Sequence, residues 1–110
     1  MKEGLYKAEF ETPFGRGSGV MLFESGRVRG GNTGLYYVGK YDVTGDSLHA
    51  HLKVLRHTHD GHTASVFGMD DITVILEGMI DGEVITLDGV SEEIPDMQMR
   101  GRLTLLPHQE

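Results

Sequence analysis

The strongest regularity in the chain is an alternation of apolar and polar residues with period two. Over residues 2–11, Tyr6, Ala8 and Phe10 fall on one face and Lys7, Glu9 and Glu11 on the other, as in a strand with one buried side. The alternation returns over 47–58, where Leu48, Ala50, Leu52 and Val54 oppose Ser47, His49, His51 and Lys53. Ile72, Val74 and Leu76 alternate with Thr73 and Glu77, and Met97, Met99, Leu103 and Leu105 oppose Gln98, Arg100, Arg102 and Thr104. Residues 20–23 are apolar without a break, which predicts a strand covered on both sides.

Between these segments stand Ser25-Gly26, Gly45-Asp46, Asp60-Gly61, Asp81-Gly82 and Asp88-Gly89. Such pairs tolerate the positive φ that tight hairpins require. The count comes to about eight strands with turn signals every ~8–12 residues, the spacing of an antiparallel sandwich or up-and-down barrel. No segment has the pattern of a long amphipathic helix; "SEEIPDMQM" is expected to be a helical turn or long loop that Pro95 limits. Gly15, Gly17 and Gly19 share one strand face, and their missing side chains allow a sheet to coil tightly. A phosphate-binding loop would need a helix after them, whereas "VMLFESG" has a strand pattern.

Composition narrows the function more than the fold. A chain of 110 residues suits a single domain over 1–110, and 16 glycines against three prolines suit curved β structure. The absence of cysteine removes disulfides, thiol nucleophiles and thiolate metal sites. A charged "MKEGLYKAEF" start without an apolar signal core, and no apolar run long enough to span a bilayer, lead us to expect a soluble cytoplasmic protein with no membrane contact. The formal charge of −7 argues against direct nucleic-acid binding, which is largely electrostatic. A role in gene control would therefore run through another protein. Arg27 and Arg29 in "GRVRGG" are the sole hint of a basic spot, and solvated surface explains them.

Candidate chemistry is sparse. The stretch "VLRHTHDGHT" brings His57, His59 and His62 close together, so a metal site there is chemically conceivable. "HTHDGH" is also similar to the H-x-H-x-D-H run of metallo-β-lactamase-like hydrolases, with the aspartate one position early. The register favours a plainer reading, because His49, His51, Lys53, His57 and His59 all fall opposite the apolar positions, on the polar face of a strand and its turn. No metal or other cofactor is expected. Asp70-Asp71 and Glu92-Glu93 are adjacent carboxylates that a strand would point apart, so neither makes an acid–base dyad. Tyr6, Phe10, Leu52, Val54, Leu76 and Leu103 would line a barrel interior that takes a small apolar ligand. The aromatic set Tyr6, Phe10, Phe14, Tyr36, Tyr37 and Tyr41 could line such a cavity or simply fill it.

Over residues 1–41 the order of motifs is a K-x-G-x-Y start, a glycine-rich strand, an apolar run, a G-x-V-x-G-G segment and Y-x-G-x-Y. This resembles the GrlR-like family, named for a negative regulator of type III secretion genes in enteric bacteria; "SLHAHLKV" and "MQMRGRLTLL" extend the likeness more weakly. The resemblance implies an all-β, eight-stranded antiparallel up-and-down barrel of lipocalin-like type. It further implies a homodimer that is not an enzyme and represses by sequestering a transcriptional activator. The family's acidic E-D-E-D surface motif corresponds here to "DVTGDS", which keeps only Asp42 and Asp46 as candidate partner contacts. A small-molecule carrier using the barrel interior is the alternative.

Overall fold

The computed structural model describes residues 1–59 and 71–108. Eight strands follow one another in chain order: β1 Gly4–Thr12, β2 Gly15–Glu24, β3 Arg27–Gly31, β4 Leu35–Thr44, β5 Ser47–Arg56, β6 Asp71–Asp81, β7 Val84–Ser91 and β8 Gln98–Leu105. Each pairs antiparallel with the next, and β8 pairs with β1, from Tyr6 opposite Leu105 to Glu11 opposite Arg100. The result is a closed, all-β, up-and-down barrel of the lipocalin-like kind. Closure gives every described strand two neighbours, although the short β3 covers only Val20–Glu24 of β2 and Tyr36–Lys40 of β4. Among the described residues no helix is long and apolar enough to cross a membrane.

The period-two pattern places the core. Tyr6 and Ala8 on β1, Met21 and Phe23 on β2, Leu48, Ala50, Leu52 and Val54 on β5, and Ile72, Val74 and Leu76 on β6 all point inward and are buried. Their neighbours Lys7, Glu9, His49, His51, Lys53 and Glu77 lie on the outer wall. Each fully buried Leu or Ile contributes roughly 1.5–3 kcal/mol relative to exposure, so a one-residue slip of any central strand would exchange several such gains for buried charge. The wall is the inverse of a membrane-spanning barrel, which turns its apolar residues outward.

The turns show which glycine signals mark reversals. Ser25 and Gly26 both have positive φ (52° and 76°), as a two-residue hairpin between β2 and β3 requires. Gly45 and Gly82 take positive φ at the first position of the β4–β5 and β6–β7 hairpins, so the β6–β7 loop is Gly82-Glu83 with Asp81 opposite Val84. Asp88-Gly89, expected as a turn, instead lies inside β7. Gly89 faces the core, where a Cβ would stand 2.8 Å from Leu76 Cδ2 and 2.9 Å from Met99 Cε. Asp60-Gly61 lies outside the described residues.

Two further expectations change. Residues 20–23 are not covered on both sides: Met21 and Phe23 are buried, while Val20 and Leu22 stand on the outer wall. Thr73, expected on a polar face, is buried because the segment after β7 folds back on it. There the Glu92 amide donates to the Thr73 carbonyl at 3.0 Å, and the Thr73 amide donates to the Glu93 carboxylate at 2.7 Å. The segment carrying Pro95 forms a turn closed by the Met97 amide on the Ile94 carbonyl, in line with the expected loop.

Candidate functional site

An up-and-down barrel sends alternate connections to opposite ends. The β2–β3, β4–β5 and β6–β7 hairpins therefore join both chain-terminal segments at one end. That end collects Glu3, Glu24, Asp42, Asp46, Asp81 and Glu83, all exposed. Lys2 answers Glu83 at 3.3 Å, and Arg27 and Lys40 stand on the adjoining wall. Six carboxylates against these three cations leave the end negative.

Asp42 and Asp46, the expected partner contacts, are both here and both exposed. Asp42 is on the outer face of β4 opposite His49, which in turn faces Glu77 at 3.8 Å. Asp46 occupies the second turn position; its carbonyl accepts from the Ile80 amide at 2.8 Å, which fixes the hairpin against β6 and leaves the carboxylate turned outward to solvent. The remaining four acids escape a sequence reading because they are far apart in the chain and meet only through strand order.

Beneath the acids lies an aromatic plug. Tyr6 meets Phe23 edge-on at 5.4 Å between ring centres, and Phe23 meets Tyr41 at 5.1 Å. The Tyr6 hydroxyl donates to the Lys2 carbonyl. Burial, with Tyr41 and Glu83 nearby, raises the Tyr6 hydroxyl above its ordinary pKa. Burial and the carboxylates of Glu3 and Glu24 do the same for Tyr41, against a hydrogen bond from the Gly26 backbone. The local field at this end disfavours further negative charge.

The interior residues expected to line a cavity converge as proposed in position: Tyr6, Leu52, Val54, Leu76 and Leu103 are buried, and Phe10 is half-buried against Tyr37 at 6.1 Å. Several are used in packing. Leu52 Cδ2 lies over Gly39 and Leu76 Cδ2 over Gly89, so side chains from one strand occupy the room that glycine leaves on the next. Of the aromatic set, Phe14 and Tyr36 do not reach the interior; Phe14 is 67% exposed at the β1–β2 turn and Tyr36 faces outward beside the inward Tyr37.

The histidines separate. His49 and His51 are on the outer wall of β5; that strand ends at Arg56, so His57 and His59, both exposed, follow it, and the His57 ring lies 6.3 Å from that of the outward Tyr36. His57 Nε2 is 2.9 Å from the Asn32 carbonyl, which requires the proton on that nitrogen, and Nδ1 is 2.6 Å from Thr58 Oγ1. Both ring nitrogens thus have protein partners. His62 lies outside the described residues, among which no three metal-ligating side chains converge. Glu92 and Glu93 lie just past the end of β7 and not in a strand, yet they still part: Glu92 turns to His51 at 3.4 Å, Glu93 to the Thr73 amide.

Sequence reasoning gave Arg27 and Arg29 as solvated surface, and both are exposed on β3. It missed that Lys40 is the direct cross-strand neighbour of Arg27. No protein-family model matches the chain, and no curated protein matches it.

Proposed function

We propose that this barrel is a non-enzymatic cytoplasmic regulator of the GrlR-like kind, a negative regulator that binds and sequesters a transcriptional activator. The observation that carries the reading is the acidic end, where Asp42 and Asp46 stand exposed among four further carboxylates. An activator must carry basic surface to hold DNA; an acidic protein surface competes for that surface and steers its approach. A net charge of −7 supports action on the protein and not on the DNA. The homodimer that the resemblance implies has a suitable wall in the outer row of Val20, Gly31, Tyr36 and Leu55, which are register neighbours across four strands. The six interior residues favour the regulator over the small-molecule carrier, because they already pack on one another and on facing glycines.

The test is co-purification of the untagged protein from its native cells, with mass spectrometry, beside an Asp42→Asn, Asp46→Asn double variant. We expect a transcriptional activator that the double variant retains less well, and that the purified barrel releases from promoter DNA in a mobility-shift assay. An eluate without any DNA-binding protein would overturn the proposal.

A further inference from the structure

At the acidic end the outer wall continues into a groove. Leu5 and Leu22 are cross-strand neighbours on the outside of β1 and β2, 43% and 37% exposed. Beyond β8 the chain keeps following β1: the Leu106 amide donates to the Leu5 carbonyl at 2.9 Å. That continuation sets Leu106 beside Leu5 and Leu22 on the same outer row, while Leu105 turns back onto the core; together with Pro107 they line a space of about 1120 Å³. Glu3, Glu24 and Glu83 edge it.

We infer that this groove is a docking site for a basic amphipathic peptide segment of a protein partner, with leucine-like side chains against Leu5, Leu22 and Leu106 and lysines or arginines facing Glu3, Glu24 and Glu83. Size and charge select that occupant. At about 1120 Å³ the groove is at the upper end of the roughly 300–1,000 Å³ of small-molecule clefts, room enough for several side chains of a peptide. Three carboxylates edge the groove against one lysine and His108, and Lys2 is already held by Glu83 at 3.3 Å. The Glu3 carboxylate is engaged by the Ser25 amide, whereas the Glu24 carboxylate makes no hydrogen bond or ion pair among the described residues. A nucleic acid or an anionic lipid surface would be repelled by the same charges that attract a cationic segment. The apolar floor supplies affinity and the acidic edge supplies orientation, the usual division of labour when an amphipathic segment lies in a groove. The inference rests on the reading that the protein acts by protein contact, and adds where the contact falls and what chemistry it selects.

The experiment uses the full chain and a fluorescein-labelled amphipathic peptide of leucine and lysine, followed by fluorescence anisotropy. Two control peptides carry glutamate for lysine or serine for leucine. We expect saturable binding of the Leu–Lys peptide alone, weakened by salt, about tenfold weaker with Leu22→Ser and about two- to fivefold weaker with Glu24→Gln at low salt. Methyl shifts on titration should cluster at Leu5, Leu22 and Leu106, which locates binding even if a variant folds poorly. Equal binding of the glutamate peptide, shifts elsewhere, or unchanged affinity in both variants overturns the inference. Its fate separates from that of the sequestering reading. An activator that co-purifies equally with both groove variants leaves sequestration standing and removes the groove; a groove that binds the peptide in a protein that retains no activator does the reverse.

Discussion

The Tyr37 hydroxyl occupies the place that a side chain on Gly19 would need: a Cβ at Gly19 would stand 3.0 Å from that oxygen and 2.7 Å from the Gly31 carbonyl. Gly19 is therefore a packing residue, the third of the alternating glycines on β2, and it lets β3 and the Tyr37 ring close over the barrel's inner face. Gly19→Ala should cost about 1–3 kcal/mol, the usual range for overpacking, because the nearest obstacle is backbone and cannot rotate away. Urea denaturation measures it. The outward neighbour Ser18→Ala should stay within about 0.5 kcal/mol; equal losses in the two would refute the packing account.

Tyr37 also sets an alkaline limit. Burial pushes its hydroxyl up to about 12, and Asn32 Nδ2 donates to that oxygen at 3.2 Å. The folded chain holds this proton more tightly than the unfolded chain, where tyrosine titrates near 10. Its contribution is complete below pH ~10 and is lost as the pH rises from about 10 to about 12, amounting to roughly 3 kcal/mol at most. Tyr37→Phe should flatten that part of the stability curve. Tyr6 and Tyr41, also raised, keep some slope in the variant. An unchanged slope in the variant would show that Tyr37 is ionised in the folded barrel at no extra cost.

The interior can be probed directly. Leu76 is buried with Cδ2 against the facing Gly89, so the folded wild-type protein should give no saturable enhancement of an apolar naphthylamine dye. Leu76→Ala should lose about 2–5 kcal/mol and open a cavity; dye uptake only in the variant fits a packed barrel. Saturable uptake by the wild type would restore the carrier reading and place its ligand beside Leu52 and Leu103.

How far the sequence spoke differs between the wall and the ends. The buried set Leu48, Ala50, Leu52 and Val54 was legible because a strand has only two faces and the polar residues between them leave no choice of register. Val20 and Leu22 were not, since an unbroken apolar run carries no period and the outward pair looks like the inward pair. Gly89 was misread because a glycine that makes room for Leu76 and Met99 has the same letter as one that turns a chain. The acidic end was half legible. Asp42 and Asp46 are close in the chain, but Glu3, Glu24, Asp81 and Glu83 join them only once the order of eight strands is known.

The histidine segment supplies its own test. With Nε2 hydrogen-bonded to the Asn32 carbonyl and its ring 6.3 Å from that of Tyr36, His57 ties the end of β5 to the β3–β4 loop. His57→Ala should therefore cost about 0.5–1.5 kcal/mol through the lost hydrogen bond, and added zinc should not raise the melting temperature of the wild type. A zinc-dependent rise that the variant abolishes would instead assign His57 to a metal.

Glu93 offers the complementary acid-side prediction. Its carboxylate accepts the Thr73 amide at 2.7 Å and the Ser91 hydroxyl at 3.1 Å. The Thr73 N–H above all, with Ser91 and the charge of Lys53 also contributing, holds it below the usual carboxylate range despite some desolvation. Because the folded value is the lower one, the stabilisation is complete above the ordinary glutamate range and is lost as the pH falls through the folded value. The Thr73 amide proton should follow that titration in NMR spectra, moving upfield as the carboxylate takes up its proton and the charge-assisted bond weakens. In Glu93→Gln the same amide should be flat across the acid range, and the segment from Glu92 to Met97 should exchange faster with solvent. A Thr73 amide indifferent to pH in the wild type would mean that this carboxylate does not close the end of the barrel over β6.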